Sequence, residues 1–477
     1  MQQAATARKA YECWRRTPQR ALRLRALEGA VLFIIAAVLV HAFALEPFQV
    51  PTGSMAPALV GHHRNCLCPN CGMAVAIGRP RGDLDGQGGS RFYAKAFCPN
   101  CGEALQASDV PETAGDQVLV NKIAFALHRP RRWEVVVLRL FGRVFIKRVI
   151  GLPGETLVIE DGDIYVDDRL VRKSFEQAMA MRVLVFDQNC RPADGWADRW
   201  ECSPHGGTDD GLELRLDGRD GPQTLTYRNG PPVAGKYPPV RDEYAYNGGL
   251  VGGNEMVHDF SIDADVDVLG GAGTLKLRLC DGRDWVEAAL PVARAGEVEA
   301  RSLGCSPFAL REGRADHAAL SARGARGLQN GRHRIEMAFV DRRLNVRIDG
   351  RRVLEDVDLP APGPRVGVSR PVQIEADGVA IALRGFRLYR DVHYTQRGRC
   401  AVIGEPVHLG DEQYFVLGDN SPNSEDSRFW PQGAVSEAQL VGSAFLVHLP
   451  SVPIEWRYAG SSWLGQLPDV GRIRLIR

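Results

Sequence analysis

The sequence lacks any excess of one charge. Its 477 residues carry 59 Lys plus Arg against 58 Asp plus Glu. Binding to a nucleic acid duplex normally leaves a clear basic surplus, so nucleic acid is excluded as a bulk partner. Sustained helical periodicity is scarce as well. The 51 glycines and 29 prolines break the chain into short segments, which predicts a turn-rich, mainly β protein. The eleven cysteines form no regular framework over the whole length. No second apolar run long enough to cross a bilayer follows the first, the stretch from Trp463 to Arg477 being too polar. No His–Asp arrangement with a nucleophile elbow is present, and no DNA-binding helix pair. The length allows two to four domains, each with its own core.

The one long apolar run is Ala30 to Leu45, broken only by His41. With the turn before it, from Ala26, a helix of this length reaches roughly 30 Å, about one hydrocarbon thickness. Arg8, Lys9, Arg15, Arg16, Arg20, Arg23 and Arg25 precede it, with Glu12 the one acid among them. The positive-inside rule then puts the N-terminus in the cytoplasm and later residues outside. A cleaved signal peptide competes, but Glu46-Pro47-Phe48-Gln49 is a poor cleavage site. The expectation is a retained single-pass anchor over residues 26–46 in the inner membrane, in contact with lipid.

Three polar segments follow. Ser54 lies in Pro51-Thr52-Gly53-Ser54-Met55, where it reads by itself as a turn serine. A serine hydroxyl needs a base to become a nucleophile, and with no histidine candidate a lysine is next. Lys147 lies in Phe145-Ile146-Lys147-Arg148-Val149-Ile150-Gly151-Leu152-Pro153-Gly154-Glu155. In a strand it shares a face with Phe145 and Val149, and burial there favours the neutral amine that a base requires. The plain alternative is a surface strand with two solvated cations. Gly418-Asp419-Asn420-Ser421-Pro422-Asn423-Ser424-Glu425-Asp426-Ser427-Arg428 is a dense polar turn. It lacks the EF-hand glycine and terminal glutamate, so calcium is not expected in this loop.

Taken in order behind an apolar run, these three segments resemble bacterial type I signal peptidases. Gly115-Asp116-Gln117-Val118-Leu119-Val120-Asn121-Lys122 is similar to a further box of that family. The resemblance implies a β catalytic domain in which Ser54 is the nucleophile and Lys147 the general base. Ser424 would orient the amine, and the Thr52 hydroxyl would complete an oxyanion hole with the Ser54 backbone N–H. Arg148, Asp419, Asp426 and Arg428 would be structural, Asp426 and Arg428 as an ion pair. Ser421-Pro422 departs from the family, where many members have Arg-Asp, and leaves charge pairing at those positions open. The implied substrates are exported preproteins with small residues, typically Ala-X-Ala, before the cleaved bond, with the export translocon as a neighbour. An extended substrate would pair with two strand edges, Phe48–Pro51 and Phe141–Ile146. Val50, Met55, Leu59, Phe145 and Ile146 would line shallow pockets there. The implied function is a membrane-bound serine endopeptidase, signal peptidase I, that uses no cofactor for catalysis. The alternative is a catalytically inactive, membrane-anchored binding protein that uses a β-sandwich insert.

Two inserts interrupt the boxes. Cys68-Pro69-Asn70-Cys71-Gly72 and Cys98-Pro99-Asn100-Cys101-Gly102 are paired knuckles with 26 residues between them. They resemble a zinc ribbon, a structural tetrathiolate closed to catalysis. The gap exceeds the usual 15–20, and the Gly-rich loop Arg81–Ser90 would absorb the excess. Two disulfides are the rival reading, since this region would face an oxidising compartment; Cys66 is a spare thiol. Residues 187–395 carry recurrent alternating segments such as Thr274-Leu275-Lys276-Leu277-Arg278-Leu279, which predict a β-sandwich. The run from His333 to Val353 with Gly385–Tyr394 resembles concanavalin-like jelly rolls. A sugar-binding role would fall to exposed Trp196, Trp200 or Trp285; a structural or protein-contacting module is the plainer reading. A Cys190–Cys202 disulfide is close enough in sequence but not required.

The expected organisation is therefore a basic tail over 1–25, a transmembrane helix over 26–46 and a catalytic domain split into 47–64, 107–186 and 396–477. A zinc-ribbon-like insert fills 65–106 and a jelly-roll insert 187–395.

Overall fold

The computed structural model describes residues 25–33, 44–79, 93, 95–108, 110–193, 199–203, 208–209, 212–230, 232, 234–248, 255–293, 296–304, 318–361, 363–449, 451–458, 461–468 and 470–476. The chain is mainly β. Alternation of apolar and polar residues, broken by Gly, Asp and Pro turns, dictates this, because a period of two buries one face of a strand.

The N-terminal expectation needs correction. Residues 25–33 are helical and exposed, but Leu45–Gln49 is a strand, so a helix cannot run on to residue 46. Leu45–Gln49 pairs antiparallel with Gln117–Asn121, from Leu45 opposite Asn121 to Gln49 opposite Gln117. Among the described residues no helix is long and apolar enough to cross a membrane. The single-pass inner-membrane location is overturned by that finding, and so is the fold class that included a transmembrane helix. Residues 34–43 of the apolar run, the basic residues before Arg25, and the whole loop 81–90 lie outside the described residues.

The sheet that carries Ser54 and Lys147 has the order Leu45–Gln49, Gln117–Asn121, Leu440–Leu449, Val135–Leu140, Arg143–Gly151, Gln413–Leu417, Val435–Ser436. One face of it packs Val118, Val120, Val135, Val137 and Ala444 into a core. A smaller sheet over Thr156–Leu170 builds a second core from Leu157, Ile159, Ile164, Tyr394 and Phe415.

The largest core belongs to an antiparallel sheet of thirteen described strands. Its axis is a pair of long strands, Phe260–Cys280 and Val372–Arg390. The first half of Phe260–Cys280 also pairs with Gly331–Val340, its second half with Asp284–Val292. Register shifts separate the halves at Val268–Thr274. Gly271 sits there with φ +93°, and a Cβ on it would meet the Gly378 carbonyl at 2.4 Å. Only glycine fits that bend, which lets both halves feed one core. Leu275, Leu277 and Leu279 point inward, while Lys276 and Arg278 face out and pair with Glu375 and Glu287 at 2.6 and 2.7 Å. Trp285 is buried in this core, and Trp200 packs edge-on against Tyr227 and Phe386. Neither is an exposed sugar platform, and Trp196 lies outside the described residues. Cys190 and Cys202 are free thiols, as is buried Cys66.

Candidate functional site

Ser54 stands in the 3₁₀ turn Gly53–Met55 that follows the edge strand. The turn is anchored from below by Val50 N–H donating to Asp116 O at 2.8 Å and from above by Asn420 N–H donating to Ser54 O at 3.0 Å. Gly53 has no room for a side chain: a Cβ there would lie 1.9 Å from Cε1 of Tyr246. Gly418 is equally confined, with Ser424 Oγ and Ser54 O each 2.3 Å from its would-be Cβ.

Lys147 comes from the strand Arg143–Gly151, whose alternation separates it from Ile146 and Arg148. Its Nζ lies 2.9 Å from Ser54 Oγ and 3.2 Å from Ser424 Oγ. The three groups are nearly enclosed, with relative exposures of 9 % for Ser54, 2 % for Lys147 and 0 % for Ser424. Thr52 Oγ1 is 3.4 Å from Ser54 Oγ. A lysine amine within hydrogen-bond reach of a serine hydroxyl, shielded from water, is an arrangement able to move a proton between the two.

Below the site runs a charged lattice. Arg148 makes a fork to Asp419, Nε to Oδ1 and Nη2 to Oδ2, both at 2.7 Å, with both side chains fully buried. Arg428 forks to Asp426 at 2.9 and 2.8 Å, also fully buried. Burial alone would raise the Asp426 carboxyl, but the Arg428 charge and hydrogen bonds, with Lys147 nearby, outweigh it and hold the carboxyl below its usual range. Ser421, at the departure from the family pattern, takes hydrogen bonds from Thr395 N–H and Arg428 Nη1 at 2.9 and 2.7 Å. A neutral hydroxyl therefore stands where charge pairing was left open.

The residues expected to line pockets separate. Val50, Met55, Leu59 and Ile146 are packed together inside the core under the Ser54 turn. Phe145 lies on the opposite face of its strand, edge-on to Trp430 at 5.4 Å. The strand edges are more informative. Arg143 to Arg148 pairs with Val135–Leu140 on one side, whereas Gln413–Leu417 pairs only from Arg148 onward. Among the described residues, no strand pairs with the other edge of Val144 to Ile146.

Sequence reasoning missed two neighbours. Asn247 and Asn420 exchange side-chain hydrogen bonds at 2.7 and 2.8 Å, and Asn420 Nδ2 also donates to Gly53 O at 2.9 Å. Asn420 lay within a quoted box, but Tyr246 and Asn247 carry no local signal, since their role exists only once the sandwich docks.

The four knuckle cysteines converge, each offering a sulfur within 4.8 Å of the others. Cys68 and Cys101 are 3.4 Å apart and Cys71 and Cys98 3.6 Å, far beyond an S–S bond of about 2.05 Å. Gly72 and Gly102 turn each knuckle with φ +72° and +76°, and their N–H groups donate to Cys68 O and Cys98 O, both at 2.9 Å. The geometry is compatible with a structural metal ion. Asn100 of the second knuckle is buried and bonds to Asp187 and Cys190, tying the knuckles to the sandwich.

A family model described as "Signal peptidase, peptidase S26" matches residues 105–202 and 360–449. It covers less than half of the chain, taking in Lys147 and Ser424 but not Ser54. Signal peptidase I V of Bacillus subtilis is 39 % identical over 62 residues, 13 % of this chain and 37 % of the relative. Inactive signal peptidase IA of Staphylococcus aureus is 31 % identical over 61 residues, 13 % of this chain and 35 % of the relative. The chain thus spans about a third of the length of the curated relatives it matches. Among solved structures, a carbohydrate-binding module from Bacillus subtilis has a TM-score of 0.25 at 13 % identity, over 40 % of this chain and 94 % of the module. A Bacillus subtilis protein with a galectin-like fold has a TM-score of 0.29 at 13 % identity, over 44 % of this chain and 97 % of that one.

The expected assignment as a membrane-bound signal peptidase I, a serine endopeptidase that removes signal peptides, is corrected by these findings. Among the described residues no helix is long and apolar enough to cross a membrane, and the curated relatives named above match over 13 % of this chain. The matches link the chain to the signal peptidase family in general terms only.

Proposed function

We propose that this chain is a binding protein for extended polypeptide segments, built on a scaffold of the serine–lysine signal peptidase type. A zinc-ribbon-like insert and a concanavalin-like insert are carried on that scaffold. The segment would add itself along the edge of Val144 to Ile146, as an extra strand, with main-chain hydrogen bonds giving affinity. Residues of exported proteins with small side chains at alternate positions suit the edge, because the apolar floor of Val50, Met55, Leu59 and Ile146 is already filled. Within this reading Ser54 is the nucleophile that meets the bound chain, Lys147 its base, and Ser424 and Thr52 the hydroxyls that orient them. The one observation that carries the reading is the 2.9 Å approach of Lys147 Nζ to Ser54 Oγ, next along the strand from Val144 to Ile146.

The test is a peptide with Ala-X-Ala spacing, offered to the full chain in parallel with a serine-directed acylating reagent. Binding of the peptide, with mass labelling at Ser54 that is lost in Lys147→Ala, is the expected result. Peptide binding without labelling would leave a receptor and remove the nucleophile; absence of both would end the proposal.

The four thiolates are assigned to zinc. A zinc ion with Zn–S of about 2.3 Å places its sulfurs about 3.8 Å apart in a tetrahedron, close to the 3.4 and 3.6 Å separations. With four sulfur ligands no position stays open, so the ion would brace the knuckles against the sandwich.

A further inference from the structure

The second cysteine knuckle and the sandwich do not close fully on each other. A cavity of about 320 Å³ lies between them, within the range of about 300–1,000 Å³ that small-molecule sites occupy. Phe97 and Pro99 line it from the knuckle, and Leu184 from the strand Val183–Asp187. Pro238, Pro239 and Tyr244 line it from the loop that leads to Tyr246. These residues make an apolar wall suited to the body of an organic molecule.

The charged residues of the lining have a bias. Arg199, Arg241 and Arg390 stand there against one carboxylate among the lining residues, Glu243. Arg199 and Arg390 are each 5 % exposed. Arg390, at the end of the strand Val372–Arg390, donates from Nη1 to Asp391 O at 2.9 Å. Its Nη2 donates to Asp242 O at 3.0 Å and to Glu243 O at 3.1 Å. Arg199 donates to Asn100 O at 2.8 Å and to the Tyr227 hydroxyl at 3.3 Å. Those acceptors are neutral. They orient a guanidinium without cancelling its charge, and buried charge is costly unless it is paired.

A separate observation sets Arg390 apart. Burial outweighs the attraction of Asp242 and holds its guanidinium below the ordinary pKa. The buried arginines Arg148 and Arg365 go the other way. Burial opposes their charge too, but Asp419 overcomes it for Arg148 and Asp163 for Arg365, and both are raised. Among the described residues, Arg390 therefore has no anion that offsets its burial in full.

We infer that this cavity binds a small organic carboxylate with a ring-sized apolar body. The carboxylate supplies the negative charge that the arginine side lacks, in the geometry that a guanidinium fork matches. The body lies against the prolines and Tyr244, which offer nothing to a bare inorganic anion. Glu243 counts against a doubly charged phosphate at the same place. The site is independent of the serine–lysine pair, and its occupant fastens the second knuckle to the sandwich.

The test is calorimetric titration of the full chain, in buffer that keeps zinc present, with phenylacetate, phenyl phosphate and the neutral phenylacetamide. Phenylacetate should give one saturating signal, and phenylacetamide should bind at least about tenfold more weakly, because it forfeits a charge-assisted hydrogen bond. Arg390→Gln should weaken phenylacetate to the same degree, and Val185→Trp, which fills the cavity from its lining, should abolish binding. No signal from phenylacetate at millimolar concentration would overturn the site, as would equal binding of phenylacetamide. Tighter binding of phenyl phosphate would overturn the carboxylate assignment. If Arg390→Gln does not fold, the acid–amide comparison and Val185→Trp still decide.

Discussion

Asn247 of the sandwich and Asn420 of the last polar loop hold each other by two reciprocal amide hydrogen bonds, at 2.7 and 2.8 Å, with both residues buried. Asn420 passes the constraint to the Ser54 turn through Gly53 O. The sandwich is therefore mechanically part of the turn that carries the serine. Asn247→Ala leaves the Asn420 amide short of two partners, and an unmet buried polar group costs about 1–3 kcal/mol. Chemical denaturation should show a loss in that range, together with faster hydrogen exchange at the N–H of Asn420, which bonds Ser54 O.

Lys147→Ala should abolish labelling of Ser54 by an acylating reagent, and Ser424→Ala should slow it without abolishing it. General-base assistance is worth about 10²–10⁴-fold, so the two variants separate readily in a time course followed by intact mass. Equal labelling rates in wild type and Lys147→Ala would remove the lysine from its assigned role.

Asp426→Asn breaks a fully buried fork to Arg428. Stranding one partner of such a pair costs about 3–5 kcal/mol, and thermal unfolding near neutral pH should show it. The pH dependence has a defined sign. The Asp426 carboxyl lies below its ordinary value of 3.8 in the folded chain. Its stabilisation is complete above that value and is lost as pH falls through the lower, folded one. Wild type should thus show a steep acid limb below about pH 4 that is shallower in Asp426→Asn, read as the difference between their stability–pH curves.

Elemental analysis should find one zinc per chain, and Cys98→Ser should lose it. Removing one of four thiolates in a structural site opens the tetrahedron, so a strong chelator should lower the melting temperature of wild type and leave the variant almost unaffected. Zinc-free protein carrying two S–S bonds would assign the knuckles to disulfides.

Much of this was legible before any coordinates. Alternation in Thr274–Leu279 announced a strand with leucines inside, because a period of two has one structural meaning. The knuckles announced convergent sulfurs because glycine after each second cysteine permits the left-handed turn. The apolar neighbours Phe145 and Val149 pointed to burial at Lys147, and the residue is 2 % exposed. Other features depend on tertiary geometry and leave no local trace. Leu45 and Glu46 read as the end of an apolar helix, yet pairing with Asn121 and Val120 draws them into a strand. Val50, Met55, Leu59 and Ile146 read as pocket walls, but apolar side chains on the underside of a turn are recruited into the nearest core.

Tyr246 occupies the space that a side chain on residue 53 would need, and it does the same at Gly78 beside the cysteine knuckles. One aromatic ring thus serves as the keystone of three separately encoded regions. Its OH donates to His62 O at 2.9 Å and fixes the ring in place. A chain trimmed of its sandwich would not revert to a simpler ancestral scaffold. It would be left with a void beside the serine and two glycines stripped of the neighbour that makes them necessary.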